Sequence, residues 1–131
     1  MASEGFDHPV EIIGVQSAAA PAAYESWKAK RLVTGEMGTF AEGLATRTAF
    51  DLPQRILWER LDDFILVTDN ELRRAILWML ELTRNLAEGA GAAALAGAIK
   101  LGERLAGRKV GIVCSGGNIS PDQLREVLTL S

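Results

Sequence analysis

The sequence holds a single cysteine, Cys114, which excludes an internal disulfide and points to a reducing compartment. No apolar run approaches the roughly 20 residues that a membrane-crossing helix needs. The opening stretch Met1-Ala2-Ser3-Glu4-Gly5-Phe6-Asp7-His8-Pro9 lacks a basic start and an apolar core, so it does not read as a signal peptide. Residues 1–9 read instead as a flexible leader, and the cytoplasm is the expected location. Basic residues are also in deficit: 14 lysines and arginines face 17 acidic residues, a net charge of −3. That balance argues against an extended basic surface for nucleic acid. At 131 residues the chain suits one domain with a real core.

What is present is organised around one stretch, Val110-Gly111-Ile112-Val113-Cys114-Ser115-Gly116-Gly117-Asn118. Val110 to Val113 is an apolar β-branched run and reads as a buried strand. The small residues after it form a turn, and Ser120-Pro121-Asp122-Gln123 opens a helix with Ser120 as N-cap, Pro121 in the first turn and Gln123 three residues after the cap. In a parallel sheet such a strand–turn–helix junction lies at the carboxyl ends of the strands, where open α/β folds bind ligands. Ser115 would stand at the strand's tip, with Gly116 and Gly117 letting a flat ligand approach the backbone. A plain chain reversal by the glycines explains the same motif.

The remaining chain supplies the other layers. Val10 to Gln16 reads as a strand, and Ser17 to Ala20 lead into a helix with Pro21 in its first turn. Tyr24 and Trp27 share one face of that helix, and Lys28, Lys30 and Arg31 close it as solvated charge. Residues 32–50 lack periodicity and read as a long loop. Leu52, Ile56, Leu57 and Leu61 recur at helical spacing after Asp51, a candidate cap. Phe64 to Val67 reads as a second buried strand, and Thr68-Asp69-Asn70-Glu71 as a capping box. The helix it opens carries Leu72, Ala75, Ile76, Met79, Leu80 and Leu86 on one face, and Asp69 and Glu71 belong to the cap rather than to a metal site. Glu88 to Ala98 is almost entirely small residues around one carboxylate, so something must approach closely there: a helix, a strand or a ligand. Gly107 is expected to end this helix. Leu124, Val127 and Leu128 form the packing face of the last one. Three short apolar strands joined by helical crossovers give an α/β fold, a three-layer parallel sheet with helices on both faces. Three strands leave two edges bare unless partner strands come from elsewhere.

Five blocks, in order, resemble the threonine dehydratase and serine racemase family of fold type II pyridoxal-phosphate enzymes. They are Gly14-Val15-Gln16 followed by alanines; Thr39-Phe40-Ala41-Glu42-Gly43-Leu44-Ala45; Asp62 to Leu72; Glu88-Gly89-Ala90-Gly91-Ala92-Ala93; and Ser115-Gly116-Gly117-Asn118. The resemblance covers residues 10–131 and only the carboxyl-terminal part of such an enzyme's catalytic domain. It implies pyridoxal phosphate as cofactor and β-elimination of water from L-threonine or L-serine, giving a 2-oxo acid and ammonia. Ser115 is then similar to the serine whose hydroxyl meets the cofactor's pyridine nitrogen. A neutral hydroxyl leaves that ring a weaker electron sink than an aspartate would. Gly116, Gly117 and Asn118 would shape the ring's edge, and Glu88 would be the family's nearby carboxylate. Glu42 and Gly43 would line the pocket, with Glu42 standing where the family usually has aspartate.

The departures matter as much. The family's Schiff-base lysine and phosphate-cradling glycine run have no counterpart in residues 1–131, so no catalytic residue is assigned and the isolated chain is expected to be inactive. Some members bind a divalent cation just after the first of these strands, but Gln16, Ala20 and Ala22 stand there, so no metal is expected. A homo-oligomer or a complementary catalytic half is the expected partner. Two other readings stay open: a non-catalytic, self-associating or partner-binding module derived from the family, and an unrelated small α/β ligand-binding domain.

Overall fold

The computed structural model describes residues 9–129, so all but the last residue of the expected leader lies outside it. Two parallel strands form its centre. β1 (Ile13–Ser17) pairs with β2 (Asp63–Val67), Ile13 lying opposite Asp63 and Ser17 opposite Val67. Because side chains alternate across a strand, Gly14 and Phe64 face one helical layer, while Val15, Ile65 and Val67 face the other.

The first layer is a pair of helices, α1 (Ala22–Ala29) and α2 (Asp51–Arg60). Tyr24 and Trp27 meet the Phe64 ring edge-on at centroid distances of 5.8 and 6.1 Å, so this aromatic pair is packing. Three polar contacts bind the helices to each other. The Trp27 indole donates to the Leu57 carbonyl at 3.1 Å, that of Trp58 to the Ser26 carbonyl at 3.0 Å, and the Gln54 amide to the Ala23 carbonyl at 3.3 Å. They orient α2 differently from its apolar spacing. Gln54 is buried, whereas Leu52 and Ile56 are exposed. The cap position also differs: Phe50 precedes the helix without a side-chain cap, and Asp51 is its first residue, where it pairs with Arg55 at 2.9 Å.

The second layer holds α3 (Asp69–Trp78), α4 (Gly89–Leu101) and α5 (Pro121–Leu128). Both expected capping boxes form. In the first, the Thr68 hydroxyl accepts from the Glu71 N–H while the Glu71 carboxylate accepts from the Thr68 N–H; Ser120 and Gln123 repeat the exchange at α5. Leu72, Ala75 and Ile76 of α3 are fully buried with Ala92, Ala93 and Ala96 of α4 and Val127 of α5. Each large aliphatic side chain buried there contributes about 1.5–3 kcal/mol. Gly97 lets α4 lie directly on the sheet, since a Cβ there would stand 2.6 Å from the Val15 Cγ2. Helices thus cover both faces of a parallel sheet, as the α/β reading requires.

Three expectations need correction. Val110 to Val113 lies in no strand: among the described residues no neighbouring strand supplies it with ladder bonds, and Val110, Ile112 and Val113 are exposed. The small-residue helix ends at Gly102, whose φ of 42° favours glycine, and a 3-10 turn, Gly102–Leu105, follows before Gly107. The apolar face of α3 does not reach Leu86, because a π-helical turn over Met79–Thr83 intervenes and leaves Leu82 and Leu86 exposed. Among the described residues no helix is long and apolar enough to cross a membrane.

The turn after α4 is clamped to the starts of both strands by Arg104, which bonds to Asp63 and Glu11. That hydrogen bond from Arg104 holds the Asp63 carboxyl below its ordinary value of 3.8. A carboxyl depressed in the folded state stabilises the fold above its unfolded pKa and loses that contribution as pH falls through its folded one. Stability is therefore expected to drop as pH falls below about 4 through this group, and Arg104→Gln to flatten the drop. Urea midpoints across that range check this; equal slopes in both proteins would refute it.

Candidate functional site

Three segments converge on the amino end of α4. The first is the turn Glu42–Leu44, a 3-10 helix whose Gly43 lies against Ala90; a Cβ on Gly43 would stand 2.8 Å from that of Ala90. The second is Glu88 itself, the extended N-cap residue of α4. The third is Ser115 to Asn118, which runs across the first turn of the helix. There the Glu88 N–H donates to the Gly116 carbonyl at 3.2 Å, and the Ile119 N–H to the Gly117 carbonyl at 2.9 Å.

This crossing is possible only because side chains are missing on both sides. A Cβ on Gly91 would run into the Gly116 carbonyl, and one on Gly117 would stand 2.5 Å from the Leu86 carbonyl. Glu88 makes no side-chain cap bond. Its carboxylate lies over Gly116 instead, where a Cβ on that glycine would meet its Oε1.

The loop carrying Glu42 is tied down by Asp69, the first residue of α3. One carboxylate oxygen of Asp69 accepts from the Thr39 hydroxyl at 2.6 Å and the Ser17 hydroxyl at 3.2 Å; the other accepts from the Phe40 N–H at 3.2 Å. Gln123 of α5 reaches the same loop, donating to the Phe40 carbonyl at 3.4 Å, and the Arg73 guanidinium sits 4.4 Å above the Phe40 ring. The cap motif contains Asp69 but gives no sign of this work. A hydroxyl at Thr39 followed by an apolar residue was the only hint, and its partner lies thirty residues on.

All seven expected site residues gather at this end of α4, but they do not all face one space. Ser115 lines a cleft of about 800 Å³ whose floor is Ala90, Ala93, Ala94 and Gly97 of α4 and whose opposite wall is Ile12, Ile13 and Val15. Glu88, Glu42, Gly43, Gly116, Gly117 and Asn118 lie outside that lining. Ser115, Asn118, Glu42 and Gly43 are exposed, and Glu88 is half-buried. The cleft wall thus presents the Ser115 hydroxyl, while the Glu88 and Glu42 carboxylates lie outside it. Among the described residues no group of three or more His, Cys, Asp or Glu side chains is placed to hold a metal ion.

Two substitutions separate the contacts in this site. Gly91→Ala must move a backbone carbonyl and is expected to cost about 2 kcal/mol, whereas Gly116→Ala displaces only the end of the Glu88 side chain and should cost less than about 1 kcal/mol. Urea unfolding measures both, and equal losses would show that the crossing is not held by the Gly91 contact. Asp69→Ala removes a charged acceptor shared by three donors. It should cost about 2 kcal/mol and speed exchange of the Phe40 amide, while an unchanged Phe40 amide would exclude Asp69 as the tether of this loop.

Comparison with known proteins identifies the family and the fold. Residues 2–116 match the model of a family described as pyridoxal-phosphate dependent enzyme. The chain is 33% identical over 130 residues to an L-threonine ammonia-lyase of Thermotoga maritima, covering 98% of this chain and 32% of that protein. It superposes on the processed form of threonine deaminase isoform 2 from Solanum lycopersicum with a TM-score of 0.83 at 29% identity, covering 93% of this chain and 36% of that one. Maize serine racemase gives a TM-score of 0.82 at 25% identity, covering 98% and 42%. The chain thus spans about a third of the length of the curated relative. Its fold is part of the fold type II architecture, and the chain belongs to the family of pyridoxal-phosphate dependent enzymes.

Proposed function

We propose that residues 10–131 are the carboxyl-terminal part of the catalytic domain of a pyridoxal-phosphate-dependent L-threonine or L-serine dehydratase, inactive alone, with a second copy or a complementary catalytic half as its partner. The observation that carries this reading is the convergence of Ser115 to Asn118, Glu88 and the Glu42-Gly43 turn on the amino end of α4, with Ser115 on the wall of the cleft. In this reading Ser115 faces the cofactor's pyridine nitrogen. Gly116, Gly117 and Asn118 border its ring, while Glu88, Glu42 and Gly43 lie at the rim. The threonine ammonia-lyase and threonine deaminase among its relatives support the substrate class. A single unpaired cysteine supports a reducing cytoplasm as its place of work.

The described residues do not by themselves fit the whole cofactor. A phosphate needs a nest of free N–H groups, and the family's phosphate-cradling glycine run has no counterpart in residues 1–131. A Schiff base needs an amine. Lys28 and Lys30 lie over the rings of Tyr24 and Trp27, and Lys100 pairs with Glu71 at 3.2 Å. Lys109 borders the cleft, but it stands six residues before Ser115, roughly 20 Å along an extended chain and beyond the reach of one side chain. The chain offers a wall for the ring and no anchor for its aldehyde or phosphate.

A second reading is a non-catalytic self-associating module. Exposed Phe50, Leu52 and Ile56, together with the uncovered Val110 to Val113, provide apolar surface for such a role.

The test is a pyridoxal-phosphate titration of the purified chain, alone and mixed with the part of the Thermotoga maritima L-threonine ammonia-lyase that precedes the matched third. The chain alone is expected to give no saturable visible band, no borohydride-trapped lysine and no 2-oxo acid from threonine or serine. The mixture should give all three. Turnover by the chain alone would overturn the predicted inactivity. A mixture that associates but never binds cofactor would favour the non-catalytic module.

A further inference from the structure

Away from the cleft, α3 and α4 meet along a second groove. Glu71, Arg74 and Trp78 recur at intervals of three and four along α3, and Ala96, Ile99 and Lys100 share one face of α4, so each set forms a ridge. The space between the ridges measures about 200 Å³. None of these residues lines the cleft beside Ser115: α4 turns Ala90, Ala94 and Gly97 toward that cleft and Ala96, Ile99 and Lys100 toward the groove. The fold leaves two donors of the groove over. The indole N–H groups of Trp27 and Trp58 both reach a backbone carbonyl, but that of Trp78 has no acceptor among the described residues. The Arg74 guanidinium sits 5.3 Å above the Trp78 ring, and among the described residues no carboxylate pairs with it. Lys100 differs, since its amine lies 3.2 Å from Glu71, whose carboxylate also accepts from the Thr68 N–H and hydroxyl. Glu71 is thus committed to the helix cap, and the groove carries two cations against one engaged carboxylate.

We infer that this groove binds a small organic anion, a monocarboxylate carrying one apolar body the size of a benzene ring. The proposal goes beyond the dehydratase reading and needs neither the cofactor nor the cleft. Charge selects the head group. An unpaired guanidinium recognises a carboxylate through two parallel N–H bonds, and the free Trp78 N–H adds a second donor to the same groove. The one side-chain acceptor, Glu71, is already engaged by Thr68 and Lys100, so a cationic ligand finds no partner. Shape selects the rest. Ala96 is buried, while Ile99 is 43% exposed beside the half-buried Trp78, and covering this surface takes apolar area out of water. A cavity of roughly 150 Å³ holds one benzene molecule, so a groove of about 200 Å³ accommodates a ring with its carboxylate at the mouth. The two helices divide the work: α3 supplies the guanidinium and the indole, and α4 the aliphatic wall. Lys100 strengthens the positive field without leaving Glu71.

Benzoate titrated into the full 131-residue chain, followed by NMR of the Trp78 indole N–H and the Ile99 methyl groups, tests this. Both sets of resonances should shift together and saturate, with half-saturation near about 1 mM, in keeping with so small a ligand in an open groove. The indole resonances of Trp27 and Trp58, whose N–H groups are already bonded, should stay in place. Arg74→Gln removes an exposed charge, so it should leave the helical circular dichroism unchanged and weaken binding at least about tenfold. Ile99→Asp, at an exposed position on the opposite wall, should do the same by repelling the carboxylate. Acetate has the head group alone and benzyl alcohol the ring alone, and neither should saturate the shifts at about ten times the benzoate concentration. No saturable shift with benzoate overturns the proposal. So does binding that Arg74→Gln leaves intact, since the carboxylate then sits elsewhere. Equal shifts with acetate would reduce the site to a bare surface cation, and equal shifts with benzyl alcohol to an apolar dimple; either result also overturns it. None of these outcomes depends on pyridoxal phosphate, so the cofactor titration tells failure of this site apart from failure of the dehydratase reading.

Discussion

The whole molecule depends on how closely other backbone can approach α4. Its alanines and glycines contribute little side-chain bulk, so three different neighbours share one helix: α3 along Ala92, Ala93 and Ala96, β1 at Gly97, and the Ser115 to Asn118 crossing at Gly91. Such a helix forgoes the large hydrophobic yield of leucine or phenylalanine. It gains position instead, because contacts between backbone and Cβ have no rotamers through which to drift. The glycines cost intrinsic helix stability, about 1 kcal/mol each relative to alanine, and the packing on either side has to offset it.

That geometry explains why the candidate site is made of main chain more than of side chains. The crossing at Gly116 is held by one N–H from Glu88 and by the absence of a methyl group at Gly91. The Glu42–Leu44 turn is held by the Asp69 carboxylate, which gathers donors from the end of β1 and from the loop itself. The Asp69 carboxylate sits in the first turn of α3, where the backbone dipole favours it.

What could be read from the sequence follows the range of the interaction. Thr68 with Glu71 and Ser120 with Gln123 are local exchanges, complete within four residues, and both formed as their spacing implied. The need for close approach at Glu88 to Ala98 was legible because small side chains have no other use in such density. The gathering of Ser115, Glu88 and Gly43 was legible only through the resemblance of ordered blocks, since no periodicity relates positions so far apart. Leu52 and Ile56 misled because apolar spacing says nothing about Gln54, whose amide finds a carbonyl on α1 and turns the helix. Val110 to Val113 has every preference of a strand, yet a strand is a property of two segments. Asp69 was legible as a cap and illegible as a tether, because its donors come from Ser17 and Thr39.

The parallel pairing of β1 with β2 carries a cost in time. Ile13 lies opposite Asp63, fifty residues later. A ribosome adding about 10 residues per second takes about 5 s to cover that distance, and a parallel pair cannot close through a short hairpin in the meantime. During synthesis β1 therefore emerges into a cell long before its only described strand neighbour exists. The order of the chain makes α1 and α2 available first to shelter the waiting edge, and brings α3, α4 and α5 only after the pair can close.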